Sequence, residues 1–279
     1  MEPPMIEFEN VIYQYPNGTV ALDHLTLKIP NIKKVALIGH NGAGKSTLLG
    51  HINGIFRPKS GKVIVNQKEL KYSPTELNRL RRKVGIVFQD PEQQLFSSNV
   101  WEDIAYGLKN LNLPDKMIQE KVQFIMEYLH ITHLVQRPIH YLSLGEKKLV
   151  ALAGVLVMEP EILLLDEPTA YLEPKAIERL IQFLEEESSS KLILLSTHDL
   201  ELAYQWADHL IVLKNGQKMK EGTPLEIFSD ATILRESGLK PPIFWEIYQG
   251  LLKQKRIDLS IKPPTSSTEL LSLLHNVCK

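Results

Sequence analysis

Hydrophobic and polar positions alternate from Ile6 to about Ile29, with Ile6 and Phe8, then Leu25, Leu27 and Ile29, falling on one face. Tyr15-Pro16-Asn17-Gly18 separates the two runs as a turn, so the pattern predicts an antiparallel sheet. The pattern then changes to short continuous apolar runs. Val35-Ala36-Leu37-Ile38, Val84 to Phe88, Ile162 to Leu165 and Leu192 to Leu195 predict buried strands. Gly61 to Asn66 predicts another strand, and Ile211 to Leu213 with Lys218-Met219 a hairpin around Asn215-Gly216. Helical spacing takes over between Gln93 and Tyr141. After Pro114, Ile118, Val122, Ile125, Met126 and Leu129 form one apolar face, predicting a helical insertion packed on the core. The fold class is therefore α/β, with an antiparallel β subdomain ahead of it and an α-helical subdomain inserted at about residues 93–160.

The texture changes again beyond Asp230. Ile243, Ile247 and Leu251 keep helical spacing, and Ser266-x-x-Glu269 caps a second helix containing Leu270, Leu271, Leu273, Leu274 and Val277. We assign residues 1–230 to the main domain and 231–279 to a small C-terminal helical extension. The extension either packs on its own domain or forms a dimer contact.

The chemistry gathers at strand ends, where an open α/β sheet places its ligands. Between the strand Val35–Ile38 and a helix lies Gly39-His40-Asn41-Gly42-Ala43-Gly44-Lys45-Ser46, which fits G-x-x-x-x-G-K-[ST] in its required context. The glycines let successive N–H groups and the helix N-terminus face one anion, as polyphosphate binding demands. Lys45 would lie along the β/γ-phosphates, Ser46 would ligate Mg²⁺, and Thr47 opens the helix. Tyr15, just upstream, either stacks on adenine or packs at the hairpin end.

Ile162-Leu163-Leu164-Leu165 runs into Asp166-Glu167-Pro168. Adjacent carboxylates at a buried strand edge are costly without a cation or donors, and Mg²⁺ supplies that charge. Asp166 would hold the metal, directly or through water, and Glu167 would orient or deprotonate the attacking water. Gln89 and His198 are individually ordinary surface types, but each ends a sheet strand. Leu142-Ser143-Leu144-Gly145-Glu146-Lys147-Lys148 opens a helix with capping-box spacing, whose N-terminus can also bind a phosphate.

Composition narrows the setting. The 279 residues carry a formal net charge of −1, which gives no global pull toward nucleic acid or an anionic membrane. Membrane association is thus expected through a protein partner. The apolar run Leu149 to Met158 stops at Glu159-Pro160, about half the length needed to span a bilayer. The acidic start MEPPMIEFEN lacks a signal-peptide core, so a cytosolic location is expected. The single cysteine, Cys278, excludes an internal disulfide and a multi-cysteine zinc site.

In the order P-loop, Gln89, LSLGEKK, LLLDEP and His198, residues 5 to 230 resemble the ATPase subunit of ATP-binding cassette transporters. That resemblance implies roles residue by residue. Tyr15 matches the adenine-stacking aromatic and Gln89 the Q-loop, which with Ser46 and Asp166 would hold Mg²⁺. Ser143, Leu144, Gly145 and Glu146 lie on the LSGGQ signature, Asp166 on Walker B, Glu167 on the catalytic glutamate and His198 on the switch histidine that contacts the γ-phosphate. It also implies a head-to-tail dimer, homo- or heteromeric, in which each ATP sits between one chain's P-loop and the other's signature helix.

The stretch Val87-Phe88-Gln89-Asp90-Pro91-Glu92-Gln93-Gln94-Leu95-Phe96, together with Ala153-Gly154-Val155-Leu156 and Glu221-Gly222-Thr223-Pro224, is similar to the energy-coupling factor group and its CbiO-type subunits. Those serve cobalt, nickel and vitamin uptake, implying integral membrane partners and a peripheral place on the cytoplasmic face of the cell membrane. A soluble cassette ATPase of DNA repair, translation or cluster assembly is the competing expectation. Against it stand the near-neutral charge, the single cassette and the absence of a long coiled-coil insert. Leu144, Glu146 and Tyr171-Leu172-Glu173-Pro174 depart from the family's G, Q and G-L-D-P. A carboxylate at Glu146 would disfavour a nearby γ-phosphate, unless it turns back to cap its own helix.

Overall fold

Ten strands form two sheets in the computed structural model, which describes residues 5–258 and 260–277; Cys278 lies outside the described residues. In chain order they are β1 (Ile6–Gln14), β2 (Val20–Ile29), β3 (Lys34–Ile38), β4 (Ser60–Val65), β5 (Lys68–Glu69), β6 (Val84–Val87), β7 (Ile162–Asp166), β8 (Leu192–Thr197), β9 (His209–Lys214) and β10 (Gln217–Gly222). The first sheet, ordered β2-β1-β4-β5, is antiparallel, and pairs Ile6 with Ile29 and Phe8 with Leu27. The second runs β10-β9-β3-β8-β7-β6, parallel except for the β9/β10 hairpin.

Every residue of β7 and β8 is buried, which is why these strands read as unbroken apolar runs rather than alternating ones. Their two faces feed different cores. Ile162, Leu164, Leu192 and Leu194 pack with Phe8, Leu27 and Leu48, beneath the antiparallel sheet. Leu163, Leu165, Ile193 and Leu195 pack on the other side with the helical insertion.

The insertion contains helices Val100–Asn110, Asp115–Tyr128 and Leu144–Leu156. Its stripe of Ile118, Val122, Ile125 and Met126 is buried, as the helical spacing predicts. Beyond Asp230, Leu234, Phe244, Trp245, Tyr248, Ile257 and Leu273 join that same core cluster. The C-terminal segment thus packs on the chain's own main body. The buried face of helix Ile243–Lys253 is not the aliphatic stripe expected from Ile243, Ile247 and Leu251. It is Phe244, Trp245 and Tyr248, while Ile243 is exposed. Aromatic rings bury more area per residue than the aliphatic positions beside them, and this decides which face turns inward.

No helix among the described residues is long and apolar enough to cross a membrane.

Candidate active site

β3 ends at Ile38 and the chain curls through the P-loop into helix Lys45–Ile52. Gly44, at the N-cap, has φ +103°, and a Cβ there would lie 2.6 Å from the Ala21 carbonyl. Only glycine meets both demands. It provides no capping side chain, so the first-turn N–H groups of an eight-residue helix remain available to an anion. Lys45 is buried and folds back along the loop, donating from Nζ to the Gly39 carbonyl at 2.7 Å and the His40 carbonyl at 3.3 Å. Burial lowers its pKa, while the carboxylates of Glu167 and Asp166 oppose that shift.

A cavity of about 330 Å³ opens over this loop. It is lined by Tyr15, by the loop residues Asn41 to Thr47, and by Gln89, Asp166 and Glu167. Ser46 and Gln89 are exposed, whereas Asp166 and Glu167 are buried. The Tyr15 hydroxyl is 2.8 Å from Thr47 Oγ1, and its ring meets Tyr13 and Phe56 edge-on. Hairpin packing and cavity lining are therefore both true of Tyr15.

The parallel register sets Asp166 beside Ser196, whose hydroxyl donates to Asp166 Oδ1. One residue on, Glu167 adopts φ +44°, a left-handed conformation that is strained for a residue with a Cβ. Its N–H donates to the Ser196 carbonyl at 3.0 Å, which holds the turn. The Glu167 carboxylate then accepts from His198 Nδ1 at 2.8 Å. Glu167's side chain is 6% exposed and His198's 69%, so the pair joins a buried carboxylate to solvent. His198 and His40 line a second cavity of about 670 Å³ beside the first, together with Gly39, Asn41 and the segment 238–242.

Ser143, Leu144, Gly145 and Glu146 do not line the first cavity; they begin helix Leu144–Leu156. Of the two readings of Glu146, the structure shows the inward one. Its Oε2 accepts from the Ser143 N–H at 2.8 Å, and its own N–H donates to Ser143 Oγ at 3.2 Å, closing a capping box. Glu146 Oε1 also pairs with Arg137 Nη1 at 3.2 Å.

Three features escaped the sequence reading. Ser196 is one, although its alignment with Asp166 follows once β7 and β8 are parallel neighbours. His51, fully buried, packs with Tyr13 and Phe56 beneath Tyr15. Lys148 is 2% exposed and donates to the carbonyls of Phe88 at 2.7 Å, Gln89 at 3.1 Å and Asp166 at 3.2 Å. Burial pushes Lys148 down to about 8, against the nearby carboxylates of Asp166, Glu167 and Asp90. The available signal was its spacing: Lys148, Leu152 and Leu156 share one helix face, and a lysine there must find partners.

Residues 22–170 match the ABC transporter family. The chain is 43% identical over 97% of its length to the energy-coupling factor transporter ATP-binding protein EcfA of Methanothermobacter thermautotrophicus, covering 88% of that protein. It is 40% identical to the EcfA protein of Carboxydothermus hydrogenoformans over 92% of this chain and 94% of that one. Among solved structures it resembles cbiO1 of Clostridium perfringens, part of the ABC transporter complex cbiONQ. There the TM-score is 0.72 at 37% identity, covering 89% of this chain and 100% of that one. The dimeric cassette MJ0796, in a post-hydrolysis state bound to ADP and Pi, superimposes with a TM-score of 0.74 at 26% identity, over 79% and 99% of the two chains. A phosphate-binding loop, a strand-end carboxylate pair and a histidine bonded to the second carboxylate now coincide with this kinship, and the chain belongs to the ABC transporter family as one of its ATPase subunits.

Proposed function

We infer that this chain energises an energy-coupling factor importer for a metal ion such as cobalt or nickel, or for a vitamin. The observation that carries the ATPase half of this reading is the Glu167–His198 pair, set at adjacent strand ends, with Glu167 lining the P-loop cavity and His198 the one beside it. Tyr15 stacks on the adenine; Gly39 to Thr47 cradle the phosphates, with Lys45 leaving its loop carbonyls for phosphate oxygens. Ser46, Gln89 and Asp166 present a hydroxyl, an amide oxygen and a carboxylate, hard oxygen donors that suit Mg²⁺, which when bound neutralises charge on the β- and γ-phosphates. Glu167 orients and deprotonates water from its buried position, and His198 reaches the γ-phosphate while its Nδ1 is held by Glu167.

The segment Ser143–Glu146 lies away from this chain's own cavity, so a second ATPase chain supplies the corresponding segment over the P-loop, head to tail. On the insertion, Phe96 and Tyr106 are 64% and 48% exposed and meet edge-on at 4.6 Å, close after Gln89. This aromatic pair suits a coupling segment of an integral membrane subunit, which would hold the chain at the cytoplasmic face. Nucleic acid has no place in this reading.

Mild-detergent extraction of membranes containing the tagged chain tests it. Integral membrane subunits should co-purify, and vesicles reconstituted with them should take up Co²⁺, Ni²⁺ or a vitamin when loaded with ATP. Recovery of the chain only from the soluble fraction, with no polytopic partner, overturns the transport reading.

A further inference from the structure

Among the described residues, the buried Lys148 ammonium has no carboxylate within ion-pair distance. Its three N–H donors instead meet three backbone carbonyls: Phe88 and Gln89, just past the end of β6, and Asp166, at the end of β7. Three donors and three acceptors satisfy the group completely. A methionine of similar length would fill the same space without desolvating a charge. What the ammonium adds, past the strand pairing of Val84–Val87 with Ile162–Leu165, is a fixed relation between the ends of the two segments. One of those segments carries Gln89, whose exposed side chain lines the cavity; the other carries Asp166 and leads directly into Glu167. Two consecutive carbonyls turned toward one Nζ also fix the direction in which the chain leaves β6.

Lys148 sits in the second turn of the helix opened by Ser143. We propose that Lys148 is a positioning residue for hydrolysis, clamping Gln89 and Asp166 to the helix whose N-terminus serves the partner's nucleotide. The dimeric half of this statement rests on the functional reading above. A displacement of the helix by a nucleotide bound on the partner is then delivered, through one side chain, to this chain's own water-orienting and metal-holding groups. Each chain's signature helix thereby links the two ATP sites of the dimer. Lys147, next in sequence, bonds to Glu92 on the surface and has no comparable reach.

The test compares Lys148→Met, Lys148→Gln and Glu167→Gln in the full chain assembled with its partners. Equilibrium ATP binding and steady-state hydrolysis are measured, and folding is followed by thermal melts. Lys148→Met is expected to lower kcat at least about tenfold while leaving the ATP Kd within about threefold. Lys148→Gln keeps two donors without the charge, and is expected to recover between about a third and two thirds of the wild-type kcat. The proposal is overturned if folded Lys148→Met keeps kcat within about twofold, or if Kd weakens in step with kcat. Should Lys148→Met not fold, Lys148→Gln decides. A kcat between about a third and two thirds of wild type at unchanged Kd supports the clamp, and any other result rejects it. If Glu167→Gln retains full ATPase activity, the assignment of the catalytic centre fails; if it is inactive while Lys148→Met is normal, the clamp alone fails.

Discussion

His198 Nδ1 lies 2.8 Å from Glu167 Oε2, across the ends of two neighbouring parallel strands. With the carboxylate accepting, the ring proton sits on Nδ1, and Nε2 belongs to a side chain that is 69% exposed. One contact therefore sets both the direction of a buried carboxylate and the orientation of an exposed imidazole.

Glu167→Gln should leave ATP binding intact and lower the hydrolysis rate of the assembled complex by about 10² or more, since general-base contributions are of that order. Phosphate release measured beside equilibrium nucleotide binding checks this. An unchanged rate removes Glu167 from the mechanism.

Tyr15→Ser should weaken ATP binding by roughly tenfold or more, because stacking a base on an aromatic ring contributes about 1–3 kcal/mol. Tyr15→Phe retains the ring and should bind nearly as well, despite losing the contact with Thr47 Oγ1. Inorganic tripolyphosphate, which has no base, should bind all three proteins alike. A parallel loss of tripolyphosphate affinity in Tyr15→Ser would assign the defect to the loop rather than to adenine.

Glu146→Gln keeps a side-chain oxygen for the Ser143 N–H and removes the charge. The helix should stay stable, and ATP-driven dimerisation in a Glu167→Gln background should strengthen only a few-fold, because Arg137 already offsets the carboxylate. Glu146→Ala, which loses the reciprocal cap, should cost about 1 kcal/mol of stability. Light scattering at a series of protein concentrations reads the first effect and denaturant melts the second. Unaltered dimer affinity in Glu146→Gln would show that the charge is of no consequence at the partner's site.

His51 donates from Nδ1 to the Thr47 carbonyl at 2.7 Å, and its Nε2 is buried without a partner among the described residues. Burial depresses its pKa from 6.5 to about 4. Below pH 6.5 the unfolded chain takes up this proton and the folded one does not, so stability is fully present above 6.5 and is lost as the pH falls toward 4. The loss approaches about 3 kcal/mol. Urea midpoints at pH 7 and pH 5 should differ more in the natural chain than in His51→Phe; equal differences would exclude His51 as the titrating group.

What could be read in advance follows from how local each signal is. The P-loop and the pair Asp166-Glu167 each combine an apolar run with chemistry in consecutive residues, so strand and site announce one another. Lys148 could not be read the same way, because its partners lie about sixty and eighteen positions away and are carbonyls, which carry no residue identity. The buried face of helix Ile243–Lys253 is hidden from the sequence for a related reason. Ile243, Ile247 and Leu251 obey the helical period as well as Phe244, Trp245 and Tyr248 do, and only the surface they meet decides between them.

A Cβ on Gly39 would fall 2.4 Å from the Leu213 carbonyl in the parallel sheet, and one on Gly44 2.6 Å from the Ala21 carbonyl in the antiparallel sheet. The Gly216 N–H donates to the Ala43 carbonyl at 3.0 Å, and the Asp23 N–H to that of Gly216 at 3.1 Å. The phosphate loop is therefore wedged between two sheets, backbone against backbone, and neither sheet can tilt without breaking into it. It serves as an anvil. On the function proposed above, a stroke driven by nucleotide is taken up by the helical insertion, which leaves the parallel sheet after Val87 and rejoins it at Ile162.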